Sequence, residues 1–265
     1  MSIPQKIHYC WFGRNPLPKL AQKCIKSWRK YCPDYEIIQW NEDNYDLSTA
    51  PLYVRQAYEA KKWAFVTDYV RLQVVYEHGG IYLDTDVELK KSLSPLLKHE
   101  AYFGFEDVVH INTGLGFGAQ KGAPVLEEMM ADYAEIPFIQ DNGSFDITTC
   151  PARNTQVLLR HGLIQNDSTQ ILDGGILILP SIYLCPIVYK TNVRRFSPET
   201  ISVHWFSASW QTEDQRMRQK EYRKQAKKHQ MQAKLHYVRH LPNLAVKTVL
   251  GDERYEKMKA FLKRG

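Results

Sequence analysis

Apolar and polar positions alternate through "KIHYCWFG" (6 to 13), which predicts a strand that ends at Gly13 and the loop "RNPLP". Trp11 falls at the carboxyl end of that strand. In "KLAQKCIKSWRKYCPDY" the period changes: Leu20, Cys24, Trp28 and Tyr31 recur at helical spacing and Pro33 stops the pattern. "YEIIQWNED" reads as a second strand. Strand, helix and strand in close succession make a βαβ unit, hence a parallel sheet with a right-handed crossover. "AYEAKKWAFVTDYVRLQVVYEHGG" predicts one long helix with Phe65, Tyr69, Leu72 and Tyr76 as its buried stripe and Gly79 and Gly80 at its C-cap. Asp68 and Arg71 stand in the i,i+3 relation at an edge of that stripe. "GGIYLDTDVEL" then predicts an extended strand in which Asp84 and Asp86 point the same way. "AYFGFED", "INTGLGFGA", "GGILILP" and "TISVHWFSASW" read as further strands, and "PVLEEMMADYAEI" and "NTQVLLRHGL" as helices. No repeat recurs at a fixed period.

At 265 residues, with 44% hydrophobic and 12% aromatic residues, the chain has ample material for one large packed core. No run approaches the roughly 18 apolar residues of a membrane-spanning helix, and "MSIPQKIHYCWFG" lacks a basic start followed by an apolar segment, so a cytoplasmic protein is expected. Five widely spread cysteines without C-x-x-C or zinc-ligand spacing suit buried, reduced thiols. The net charge of +6 is uneven: residues 211 to 265 hold 15 Lys and Arg against 6 Asp and Glu, leaving 20 against 23 for residues 1 to 210. The expected division is therefore a domain over 1–210 and a basic helical extension over 211–265.

Two close carboxylates repel and raise each other's pKa unless a cation neutralises them, so Asp84 and Asp86 suggest a metal. Ligands of open α/β sheets bind at the carboxyl ends of the strands, and Trp11, the aspartate pair and His204 all fall at such ends. A divalent ion held by one or two carboxylates and otherwise by water and phosphates is how Mg²⁺ or Mn²⁺ meets a nucleotide, and an imidazole ligand favours Mn²⁺. Such an ion stabilises charge on a departing diphosphate, as transfer of a sugar from a nucleotide sugar requires. Blander readings stand beside these. D-x-D alone fits an acidic strand end facing water, Trp11 fits plain core, and Asp68 with Arg71 fits an exposed salt bridge of little value. His8 and His78 read as structural, and Asn112 and Gly114 either line the acceptor side or form a turn.

The blocks "IPQKIHYCWFG", "WAFVTDYVRLQVVYEHGGIYLDTDVE" and "INTGLGFGA", in this order, resemble glycosyltransferase family 32, bacterial capsular and surface-polysaccharide enzymes grouped with yeast α-1,6-mannosyltransferases. Their W-x-G, D-x-x-R and G-G-x-Y-x-D-x-D elements are more distantly similar to the catalytic domain of clostridial glucosylating toxins. The resemblance covers residues 3 to about 210. It implies a GT-A fold: α/β, with a Rossmann-like, mixed and mostly parallel sheet flanked by helices. It also implies a nucleotide-sugar donor, a divalent metal (Mn²⁺ or Mg²⁺) and retention of anomeric configuration. By the same resemblance Trp11 would stack on the donor's base, and Asp68 and Arg71 would hold the donor's hydroxyls and phosphate, with Tyr82 supporting that end. Asp84 would contact ribose and metal-bound water, Asp86 would bind the metal directly, and His204 would be the C-terminal metal ligand. Ser209 and Trp210 would close over the diphosphate. Asp86, Asp84 and Arg71 are then the catalytic candidates. Glu106 and Asp107 are the candidates for a base, should the reaction use one.

The expected function is thus a metal-dependent retaining transferase with a UDP-sugar donor, or GDP-mannose by the yeast branch, in capsular or surface polysaccharide synthesis. A saccharide or lipid-linked saccharide would be the acceptor. The alternative is a non-enzymatic carbohydrate- or nucleotide-binding protein. A D-x-D phosphatase is disfavoured because Glu88 stands where that chemistry needs threonine. Nucleic acid is disfavoured because the main domain is slightly acidic. The basic tail reads as a solvated helical face or as a segment docking peripherally on the anionic inner face of a membrane.

Overall fold

The computed structural model describes residues 2–207, 213–240 and 250–262. Strand β1 (Lys6–Cys10), helix α1 (Lys19–Tyr31) and strand β2 (Glu36–Trp40) form the expected βαβ unit, with β1 and β2 parallel from Lys6 opposite Glu36 to Cys10 opposite Trp40. Cys24 and Trp28 of α1 are buried as their spacing requires, and the Cys32 N–H closes the helix on the Trp28 carbonyl at 2.8 Å.

The single long helix expected next is two. Helix α2 (Leu52–Glu59) ends in a Schellman motif: Lys62 N–H bonds the Ala57 carbonyl at 2.8 Å, Lys61 N–H bonds that of Tyr58 at 2.9 Å, and Lys61 lies at φ 56°. Helix α3 (Trp63–His78) then starts afresh, and Gly79 at φ 63° caps it. Val66, Val70, Leu72, Val74 and Val75 of α3 are buried, while Phe65, Tyr69 and Tyr76 of the expected stripe are partly buried against the same core. A central helix covered on most sides carries apolar residues on most sides.

Strand β3 (Gly80–Tyr82) slots beside β1 and stops at Tyr82. Asp84 and Asp86 therefore do not share one strand: they lie in a turn, closed by Val87 N–H on the Asp84 carbonyl at 2.9 Å. That turn carries the chain into a second sheet, where β4 (Val87–Leu89) pairs antiparallel with β9 (Ser202–His204). Strands β5 (Ala101–Gly104), β6 (Phe117–Ala119), β7 (Gln170–Leu172) and β8 (Ile176–Leu179) complete a seven-stranded sheet of order β2-β1-β3-β6-β5-β8-β7. Only β6 and β7 run against the rest, so the sheet is mixed and mostly parallel. In "INTGLGFGA" only Phe117–Ala119 is strand, because Asn112 caps a tight turn over Thr113–Leu115.

Helices flank both faces, as expected. Alternation in β3 and β5 sends Tyr82 and Phe103 into a core shared with α2, α3, α4 (Pro124–Ala134) and α5 (Cys150–Arg160). Ile81 and Tyr102 enter the opposite core, shared with α1, β4 and the short helix α6 (Ser181–Leu184). All five cysteines are buried. Two compact units result: one runs to Tyr189 and resumes at Val193, and the other joins Lys190–Asn192 to the part of the chain bearing helix α7 (Glu213–His240) and the helix Asp252–Leu262. No described helix is long and apolar enough to cross a membrane.

Candidate active site

The site is built where the sheet releases the chain. Leu83 N–H still bonds the His8 carbonyl of β1 at 3.0 Å, and the next three residues turn away. The β4–β9 register sets Val87 opposite His204, which brings the imidazole beside the residue before Val87. His204 Nε2 lies 3.0 Å from Asp86 Oδ1, and Ser207 N–H donates to Asp86 Oδ2 at 2.7 Å. Asp84, Asp86 and His204 each offer a ligand atom within 4.8 Å of the others.

Electrostatics separate the two aspartates. Burial raises the pKa of Asp86, but His204 and the Ser207 N–H outweigh it and leave that carboxyl well below the usual range. Asp84 is raised, first by burial and then by Asp86, with Arg71 opposing. Burial lowers the pKa of His204, yet the attraction of Asp86, Asp84 and Glu106 leaves it above 6.5. Its Nδ1 is buried with no hydrogen-bond partner among the described residues. Two carboxylates and an imidazole with an orphaned nitrogen form a donor set that fits a divalent cation of the Mn²⁺ or Mg²⁺ type.

Beside this cluster lies the α3 pair. Arg71 and Asp68 are only 3% and 8% exposed, so they are not a solvated surface bridge. Arg71 Nη2 reaches Asp68 Oδ1 at 3.0 Å and Asp84 Oδ1 at 3.4 Å, while Nε donates to the Thr67 carbonyl at 2.9 Å. Tyr82 lies under the guanidinium, 5.0 Å from it to the ring centre, and donates to Asp84 Oδ1 at 2.9 Å. One arginine thus serves two carboxylates.

Asn112 and Gly114 form a turn and also line the site. Asn112 Oδ1 accepts from Gly114 N–H at 2.6 Å, and its Nδ2 donates to Glu106 Oε2 at 2.6 Å. A Cβ on Gly114 would stand 2.5 Å from Asp84 Oδ2 and 3.1 Å from Arg71 Nη1, so glycine here permits the close approach. Of the two base candidates, Asp107 spends Oδ1 on the N–H groups of Val109 and His110 and on the His110 ring. Glu106 is held beside Asn112, its pKa raised chiefly by burial.

Trp11 sits half-buried at the end of β1, its Nε1 donating to the Asn15 carbonyl at 2.6 Å. No hydrogen bond or ion pair joins it to the cluster among the described residues. Ser209 and Trp210 lie outside the described residues. His8 is structural: it is buried between the Gly79 carbonyl and the Trp40 Nε1, and burial above all lowers its pKa to about 4. Cys150, at the start of α5, was not anticipated. Its Sγ is 3.8 Å from Arg71 Nη1 and 3.6 Å from Asn112 Oδ1, and a cysteine so far along the chain carries no pattern that signals this. The Ser207 contact was also missed, since a backbone N–H leaves no mark on residue type.

Residues 18–103, from the start of α1 into β5, match the family model described as "Glycosyltransferase sugar-binding region containing DXD motif". "Inositol phosphoceramide mannosyltransferase 3" of Schizosaccharomyces pombe is 29% identical over 141 residues, 52% of this chain and 39% of its own length. "Inositol phosphoceramide mannosyltransferase 1" of the same yeast is 28% identical over 112 residues, 38% of this chain and 33% of its own length. The chain thus spans between a third and two fifths of the length of these relatives. Among solved structures, one described as "PaToxG Glycosyltransferase" aligns with 60% of this chain and 69% of its own at 17% identity, with a TM-score of 0.46. Over about a third of its length, both aspartates included, the chain is similar to a glycosyltransferase sugar-binding region with a D-x-D motif.

Proposed function

We propose that this chain transfers a sugar, with retention of configuration, from a nucleotide-sugar donor to a saccharide or lipid-linked saccharide acceptor. The observation that carries the reading is the gathering of Asp84, Asp86 and His204 within 4.8 Å, beside a buried arginine that already spans two carboxylates. A divalent ion at the three ligands would supply Lewis-acid stabilisation of the departing diphosphate. Arg71 would meet the donor's phosphate or sugar as a fixed guanidinium, because Thr67 and Asp68 hold it in place. Asp68 would accept a hydroxyl of the donor sugar, Tyr82 would keep Asp84 oriented, and the Trp11 ring would stack on the base. Asn112 and Gly114 would face the acceptor.

In the retaining course, the bond from the anomeric carbon to the diphosphate oxygen breaks and that oxygen keeps the electron pair. The acceptor oxygen bonds the same face of the carbon, and its proton passes to the leaving oxygen. The resemblance to family 32 supports retention and a surface-polysaccharide role. Toxin-like elements favour UDP as carrier. Two relatives named as mannosyltransferases bring GDP-mannose into consideration. The enzyme would be cytoplasmic, and its extension over 211–265 would contact an anionic membrane weakly and in a salt-sensitive way.

The test is release of nucleoside diphosphate from a panel of UDP- and GDP-sugars with Mn²⁺, Mg²⁺ or chelator. Turnover of one donor that requires metal and disappears in Asp86→Asn would support the reading. Failure of every donor to turn over, together with no metal-dependent binding of UDP or GDP, would overturn it.

A further inference from the structure

Helix α1 buries one side and presents the other as a row of cations. Lys19, Lys23, Lys26 and Lys30 follow one another at spacings of four, three and four, so they form one line along the exposed face, about 16 Å long at the helical rise. Arg29 stands beside the row, and α1 contains no acidic residue. Between α1 and β4 opens a cleft of about 510 Å³, walled by Lys23, Lys26, Arg29, Lys30 and Lys90 with Glu88 as its one carboxylate.

Part of this charge is internally used. Lys23 and Lys90 reach Glu88 at 2.9 and 2.7 Å, and Glu88 also accepts from the Trp205 indole at 2.9 Å. Lys26, Arg29 and Lys30 form no ion pair among the described residues. The helix dipole accounts for cations in the last turn, Arg29 and Lys30, but not for Lys26 or for the lack of any carboxylate. Nor is this face a sample of a basic domain, since residues 1 to 210 hold 20 cations against 23 anions. The cleft shares no lining residue with the Asp84, Asp86 and His204 cluster.

We propose that the cationic face of α1 and its cleft dock the domain on a membrane by binding phosphate headgroups of anionic lipids. A straight row of ammonium groups matches a plane of phosphates better than it matches a single small anion, which a cup would hold. Exposed lysines can lay their stems along the helix and extend their heads to such a plane. The half-buried Tyr31 on the cleft wall offers the amphipathic ring that suits an interface.

The test compares sedimentation of the full chain with phosphatidylcholine vesicles containing or lacking phosphatidic acid. Against wild type stand Lys26→Ala/Arg29→Ala/Lys30→Ala and an equally discharged tail variant, Lys220→Ala/Lys224→Ala/Lys228→Ala. The α1 variant is expected to lose on the order of a hundredfold in partitioning to the anionic vesicles, and the tail variant distinctly less. In wild type, the same vesicles should shield Lys26 and Lys30 from amine acylation, a readout that needs no variant to fold. Equal losses in both variants, no loss in the α1 variant, or no shielding of Lys26 and Lys30 would each overturn the proposal. Shielding by inorganic pyrophosphate but not by vesicles would also overturn it, by making the ligand a soluble anion.

Discussion

Two groups of close charges lie side by side in this protein and are neutralised in different ways. Asp68 and Arg71 sit one turn apart on α3, and the guanidinium supplies the counter-charge from within the chain at 3.0 Å. Asp84 and Asp86 sit in a turn between two sheets, and beyond a shared claim on Arg71 their only close cation among the described residues is His204, which is charged only while it holds a proton. The helix pair is complete as folded. The turn is short of positive charge, and the reading of it as a metal site follows from that shortage.

The largest expected effect removes a ligand from the turn. Asp86→Asn should cut metal-dependent donor turnover by on the order of a thousandfold and, because it also breaks the buried pair with His204, should lower the thermal stability of the metal-free protein. If turnover survives, the metal does not act through Asp86. Breaking the helix pair acts first on the fold. Arg71→Ala leaves Asp68 and Asp84 without their guanidinium in a buried place and should cost about 3–5 kcal/mol of stability in denaturant titration. Arg71→Ala together with Asp68→Asn should recover part of that loss, and no recovery would mean that the pair is not coupled.

Gly114→Ala probes the seam between the two groups. The added methyl meets Asp84 Oδ2 at 2.5 Å and must move it or the turn, so a stability cost of about 1–3 kcal/mol is expected, with a larger proportional loss of Mn²⁺ affinity by titration calorimetry. Equal affinity in the variant would mean that Asp84 is free to shift.

The smallest effect concerns pH. The pKa of His204 lies above its ordinary 6.5, so its contribution to stability is full below 6.5 and is lost as pH rises through the raised value. That of Asp86 lies below its ordinary 3.8, so its contribution is full above 3.8 and is lost as pH falls through the depressed value. Above the raised value of His204 the cluster is most negative, and a metal displaces no proton. Mn²⁺ should therefore raise the Tm by more at about pH 8 than at about pH 6, measured by scanning calorimetry. A shift independent of pH would exclude the imidazole as a ligand.

Much of this site was legible because helical and strand periods are local. The i,i+3 spacing of Asp68 and Arg71 predicted their contact, and the apolar period of "KLAQKCIKSWRKY" predicted which side of α1 is buried. The same local rule misled at "YLDTDVEL". Alternation there is compatible with one strand, but the chain leaves the sheet after Tyr82 and pairs Val87 with His204, a residue of β9 far along the sequence. The α2–α3 break was likewise hidden, because a lysine can adopt the left-handed conformation that glycine usually signals.

By itself, then, the sequence determined the βαβ start, the α/β class, the candidate acids and the uneven distribution of charge. Each of these depends on neighbours within a few turns of chain. Only the tertiary structure decided that the aspartates meet His204 through a second sheet, that Gly114 and Cys150 abut Arg71 and Asp84, and that the cations of α1 wall a cleft with Lys90. Those contacts join segments whose approach is set by burial of the two cores, and burial acts on the folded whole, leaving no fixed spacing in the chain to read.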